Sequence, residues 1–161
     1  YVADALGSLD GVRVAESGPN GNLFVAGGDT AAVRVRDAIN ARLEHTTAFL
    51  ADEVPERLHY RGNPRIGDVV LVPDSGWIVR PENDRPARAG FTHGWDNAVL
   101  SMRTLFMALG QGLPQGVALD PFANVQVYPL ATRLLGLEPA QGIDGDPAFW
   151  DGVLGSQSPG A

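Results

Sequence analysis

The chain has 161 residues, of which 44% are hydrophobic and 19% charged, enough for one domain with a real core. No apolar run approaches the roughly 20 residues of a membrane span, which excludes a helix that crosses a bilayer. Twelve basic residues, all Arg and scattered, stand against nineteen acidic ones, and the net charge of -7 without a basic stripe argues against duplex nucleic acid as a partner. Cysteine is absent, so disulfides, Cys-based zinc sites and a thiol nucleophile are excluded. Any metal must then be held by His, Asp or Glu, and the histidines are His45, His59 and His93. The chain opens at Tyr1 without a Met or a signal peptide, as expected of a processed product or of an excerpt from something longer.

In chain order, Gly11–Glu16 sets Val12 and Val14 against Arg13 and Ala15, the period of a half-buried strand. The turn formers Ser17–Gly21 lead into a returning strand at Asn22–Ala26. After Gly27-Gly28, Asp29 or Thr30 caps a helix to about Leu43, with Ala32, Val35, Ile39 and Leu43 at helical spacing. Thr46–Ala51 reads as a third strand. Residues 1–54 are therefore expected to form a small α+β lobe in which one helix covers a short sheet. His45, just past the helix end, suits a surface place where a cation favours the helix dipole.

Pro55 at a helix N1 position predicts a short helical turn within Asp52–Tyr60. Asp68–Val72 reads as a strand buried on both faces, and Trp77-Ile78-Val79 as another short strand. Pro81–Ala89 is polar and proline-interrupted, a flexible surface loop. Thr104–Ala108 is the most hydrophobic run and a natural central strand. Gly110–Gly116 is a Gly/Pro loop. Pro129 fits the first turn of a helix carrying Leu130, Leu134 and Leu135 and closed by Gly136. Residues 138–161 turn to Gly, Pro, Asp and Gln, an irregular surface tail anchored by Phe149 and Trp150.

The chemistry concentrates in Phe91-Thr92-His93-Gly94-Trp95-Asp96-Asn97, a loop of turn formers between strand-like runs. Glycine after the imidazole lets the backbone bend sharply, and Asp96 and Asn97 can hydrogen-bond to backbone and hold the loop in one shape. His93 is thus a candidate metal ligand or general acid/base. On residue types alone, a single His in a polar loop is more often a turn residue.

Several blocks weigh against that bland reading. Pro55-Glu56-Arg57-Leu58-His59-Tyr60, Asn63-Pro64-Arg65-Ile66, Gly76-Trp77, Thr92-His93-Gly94-Trp95-Asp96-Asn97, Ser101-Met102-Arg103, Phe106 to Gly110, Pro121-Phe122-Ala123-Asn124-Val125, Val127-Tyr128-Pro129-Leu130 and Leu134-Leu135-Gly136-Leu137 follow one another in order. Together they resemble the C-terminal part of the nucleotide pyrophosphatase/phosphodiesterase family, in the alkaline phosphatase superfamily, over about Pro55 to Gly145. The resemblance implies an α/β fold: the C-terminal portion of an alkaline-phosphatase-like mixed sheet flanked by helices. Residues 55–137 would be part of the catalytic domain, with the small α+β lobe at its N-terminal side.

The family hydrolyses phosphodiester and pyrophosphate bonds, commonly of nucleotides, with two zinc ions and a threonine nucleophile. By resemblance His93 ligates one zinc; Asp96 and Asn97 are read as shaping the loop or supporting the ligand from behind, with a ligand role for Asp96 the lesser alternative, and His59 has a structural place or one behind the ligands rather than on the metal. The nucleophile and the remaining Asp and His ligands are expected upstream, so no catalytic residue is assigned within this chain. No Asp-His-Gly ligand triplet occurs. Phe91 stands where the family has a small or polar residue, and Gly110-Gln111-Gly112 replaces its Gly-Pro. The implied partners are a nucleotide or other phosphodiester substrate and the upstream part of the same polypeptide, and the implied location is secreted or periplasmic. The competing reading, from another class, is a non-catalytic binding or regulatory module derived from that fold.

Overall fold

A computed structural model describes residues 1–83 and 90–154. Most of the loop read over Pro81–Ala89, and the end of the tail from 155 onward, therefore lie outside the described residues. The chain divides into two compact units, Tyr1–Thr104 and Leu105–Ala161.

The first unit is built on a four-stranded sheet. Its strands are β1 (Val12–Glu16), β2 (Gly21–Val25), β3 (Thr46–Leu50) and β4 (Val69–Pro73), in the order β1-β2-β4-β3. Every neighbouring pair is antiparallel. Helix α2 (Gly28–Arg42) crosses from β2 to β3 and lays Ala32 and Ile39 on one face of the sheet, against Leu23, Ala48, Val69 and Leu71. Burying side chains the size of Leu23, Ile39 or Leu71 stabilises by roughly 1.5–3 kcal/mol each. A further helix, α1 (Val2–Leu6), was not expected, yet it joins the same core through the fully buried Val2 and Ala5. The spacing of Val2, Ala5, Leu6 and Leu9 is its sequence signal.

Strand β4 is central, which explains its unbroken run of apolar residues. One face packs on α2, and the other is covered by the stretch that follows Val54. Residue pairs Thr47↔Val72 and Phe49↔Val70 place those side chains on that second face. There the buried Asn22 donates to Glu16 Oε2 and to the Tyr60 hydroxyl, both at 2.8 Å, and accepts from the Gly67 N–H. The outer edge of β3 is closed by the helix beside it. Asn40 donates to the Ala48 carbonyl at 2.9 Å and accepts from the Ala48 N–H at 2.7 Å, so this edge is not left open for another strand.

Trp77-Ile78-Val79 does not form the short strand expected. Among the described residues only Val79 pairs, in an isolated bridge with Gly18, because no described strand runs alongside Trp77 and Ile78 to take their backbone groups.

In the second unit, helix α3 (Val127–Leu134) has Pro129 in its first turn and Gly136 at φ 65° just past its end. A cluster of Phe106, Phe122, Phe149 and Trp150 packs with ring centroids 5.1–6.0 Å apart. The stretch read as irregular tail is locally ordered: Asp146 caps a 3-10 turn at Pro147–Trp150, α4 (Asp151–Leu154) follows, and Trp150 is buried. The expected central strand at Thr104–Ala108 is absent. A strand needs a ladder partner for its backbone, and the run has none among the described residues. Phe106 turns into the aromatic cluster, while Leu105, Met107 and Leu109 are 75%, 81% and 93% exposed.

Candidate functional site

The site lies in the first unit, where β3 begins and β4 ends. The last ladder pair is Thr46↔Pro73, and the Asp74 N–H continues the ladder by donating to the His45 carbonyl at 3.0 Å. Asp74 then starts a turn that closes with the Trp77 N–H on its carbonyl at 2.9 Å, with Gly76 at φ 90° inside it. His45 stacks on Trp77 with ring centroids 4.0 Å apart and planes at 15°, and its Nδ1 is 3.1 Å from Asp74 Oδ2. His45 is thus a partly exposed residue past the end of α2, and its contacts are to the β4 turn.

The His93 loop is fastened onto this frame at three successive residues. The Trp95 indole N–H donates to the Trp77 carbonyl at 2.6 Å. The Asp96 carboxylate accepts two hydrogen bonds from the Arg57 guanidinium, at 2.5 and 2.6 Å. Asn97 completes the clasp: its Oδ1 accepts from Arg57 Nη1 at 3.0 Å and its Nδ2 donates to the Arg57 carbonyl at 3.1 Å. Arg57 belongs to the 3-10 turn Glu56–Leu58, which follows Pro55 and ends at His59 in the left-handed region, φ 48°. Gly94 has φ 108° and passes over Pro19 and Asn20 of the β1–β2 turn, a conformation that suits glycine.

Electrostatically, the Arg57 hydrogen bonds hold the Asp96 carboxyl below the ordinary carboxylate range, against the opposing effect of partial burial, and the Ala98 N–H adds to the lowering. Asp96 is therefore an anion with both oxygens committed to the loop. Beneath the clasp is a pocket of about 370 Å³, lined among others by Thr47, Phe49, Arg57, Val72, Asp96 and Val99. His93 itself is exposed. Among the described residues no group of three or more His, Asp or Glu is arranged to hold a metal ion.

The structure thus brings Asp96 and Asn97 together with Arg57, and leaves His93, His59 and His45 apart as ligands. Arg57 and Trp77 were not singled out from the sequence. They stand 39 and 18 residues from their partners in the loop, and no local spacing signals such contacts.

The fold and site together are a mixed α/β unit that presents a His-Gly-Trp-Asp-Asn loop at the end of its sheet. The model of the type I phosphodiesterase / nucleotide pyrophosphatase family matches residues 9–96, and the chain belongs to that family. It is similar to ectonucleotide pyrophosphatase/phosphodiesterase family member 7 of Rattus norvegicus, 33% identical over 144 residues, which cover 88% of this chain and 31% of the relative. It is also similar to venom phosphodiesterase of Naja atra, 38% identical over 97 residues, 60% of this chain and 12% of that one. Among solved structures, human ectonucleotide pyrophosphatase/phosphodiesterase 5 superposes with a TM-score of 0.76 at 24% identity, covering 92% of this chain and 39% of that one. The likeness is to an alkaline-phosphatase-like α/β fold. The chain spans about a third or less of the length of the two curated relatives.

Proposed function

We propose that this chain is the C-terminal portion of a longer zinc-dependent hydrolase of phosphodiester or pyrophosphate bonds, with nucleotides as the substrate class. The attacking group is a Thr nucleophile outside this chain, and the upstream part of the polypeptide is its structural partner. The observation that carries the reading is His93: an exposed imidazole on a loop in which Trp95, Asp96 and Asn97 are each tied to another element. The family membership supports the reaction class.

An exposed imidazole fits one corner of a tetrahedral zinc site, whereas Asp96, with both oxygens on Arg57, is already committed. In this reading the other ligands of the two zincs belong to the rest of the polypeptide. When bound, zinc supplies the lowered nucleophile pKa and the charge that steadies attacking and leaving oxygens. This chain's own residues present one ring nitrogen and keep the loop beneath it in place. The "ecto" and "venom" of the relatives' names support a secreted or periplasmic location.

The test is made in the complete polypeptide. His93→Ala loses about one zinc per protein and nearly all turnover of the nitrophenyl ester of thymidine monophosphate, with partial rescue by excess zinc, since a lost ligand costs more than the 10–100-fold typical of a supporting residue. His59→Ala keeps both zincs and most activity. Full zinc content with near-normal turnover in His93→Ala, or zinc loss in His59→Ala instead, overturns the assignment. A polypeptide without an upstream Thr nucleophile and ligands points to the non-catalytic module.

A further inference from the structure

We infer that Trp95 is a positioning residue for His93, acting through its indole N–H bond to the Trp77 carbonyl; this rests on the reading of His93 as a zinc ligand. Among the described residues, Trp95 is the nearest fastening to His93 along the chain. The Arg57 clasp begins only at Asp96, three residues away. On the other side of the imidazole, Phe91 and Thr92 are exposed, and the Thr92 hydroxyl reaches only the neighbouring His93 carbonyl, at 3.5 Å.

Each residue between an anchor and the ring adds two soft dihedrals. Gly94, the residue between, is the most permissive of all, and its φ of 108° is held by the chain on either side. Without Trp95, the freely turning stretch would run from His93 through Trp95, and the ring's position would spread by more than the few tenths of an ångström that a metal–nitrogen bond tolerates.

The accepting carbonyl is itself well fixed, which makes the bond a positioning device. Trp77 closes the Asp74 turn, its ring stacks on His45, and His45 is joined to Asp74 through both its ring nitrogen and its carbonyl. Asp74 continues the β3–β4 ladder. The end of the sheet therefore sets the height of the His93 loop through a short path: ladder, turn, Trp77 carbonyl, Trp95. A residue that merely packed could do so without donating, but here the N–H···O distance is 2.6 Å.

The experiment uses the complete polypeptide and Trp95→Phe, which keeps an aromatic ring and deletes the donor. In the metal-free wild type, the Trp95 indole N–H is expected to exchange with solvent slowly. In Trp95→Phe, fast backbone motion at His93 and Gly94, read by nitrogen-15 relaxation, is expected to rise while the melting temperature changes little. Zinc at the His93 site, followed by competition with a chelator, is expected to weaken about 10–100-fold, as for residues that orient a ligand. An unprotected wild-type indole, or unchanged relaxation at His93 and Gly94 in the variant, overturns the inference whatever zinc does. A His93→Ala arm separates the two ideas: if that variant retains full zinc while Trp95→Phe still loosens the loop, the zinc assignment fails and the positioning contact stands.

Discussion

Both carboxylate oxygens of Asp96 are held by one side chain, the Arg57 guanidinium, across 39 residues of sequence. This fork-to-fork geometry is the strongest hydrogen-bonded form of an ion pair. It ties the 3-10 turn Glu56–Leu58 to the loop after His93, so two of the ordered motif blocks meet in one contact.

The pair carries a pH dependence with a definite sign. Arg57 lowers the Asp96 carboxyl, so the pair's contribution is present above the unfolded carboxyl value of about 3.9 and is lost as pH falls through the lower folded value. The Arg57 side chain is half exposed, which limits the effect to about 1 kcal/mol. The stability gap between wild type and Asp96→Asn should stay level from neutral pH to about pH 5. It should then close under more acidic conditions, as read by urea midpoints of the complete polypeptide. A gap that widens on acidification contradicts the assignment.

Purified alone, the 161-residue chain should not hydrolyse the nitrophenyl ester of thymidine monophosphate, with or without added zinc. One exposed imidazole falls short of the three or four protein ligands of a zinc site, and no nucleophile is assigned here. Turnover that tracks this chain through purification would defeat that expectation.

The run around Leu105, Met107 and Leu109 should make the isolated chain bind an environment-sensitive apolar dye and self-associate. Replacing Leu105 and Met107 by Ser should lower the dye signal. In the complete polypeptide the same change should instead destabilise, if the run is covered there as a strand. A monodisperse chain that melts cooperatively without dye binding would favour the stand-alone module.

Gly67→Ala should cost about 1–3 kcal/mol, the usual range for overpacking. An added Cβ would sit 2.5 Å from the Leu23 carbonyl oxygen and 2.9 Å from its nitrogen, and backbone in a central strand cannot step aside. Urea denaturation of the complete polypeptide reads the loss. By contrast, Gly62→Ala meets no atom within 4 Å but has φ 70°, so its cost is the smaller one of left-handed backbone.

Local pattern alone was sufficient for β1, β2, α2, β3 and α3. Alternation at Val12 and Val14, and helical spacing from Ala32 to Ile39, are properties of neighbouring residues and survive without knowledge of the partner. The resemblance carried by the ordered motif blocks was also a matter of sequence, and the match over residues 9–96 establishes the family. Where the reading failed, a partner decided. Thr104–Ala108 has the composition of a central strand, but a ladder needs a neighbour, and among the described residues its backbone finds none. Val69–Pro73 has similar composition and became a strand because β2 and β3 flank it on both sides.

The sequence by itself determined the elements with their own period, the absence of thiol chemistry, and the loop in which His93 stands. Tertiary structure alone decided that β4 inserts between β2 and β3, that Asp96 belongs to Arg57, and that Trp95 rests on the Trp77 carbonyl. Periodicity is written within a few residues of chain, whereas the two side-chain contacts join groups 39 and 18 residues apart, and all three meetings depend on how the whole sheet closes.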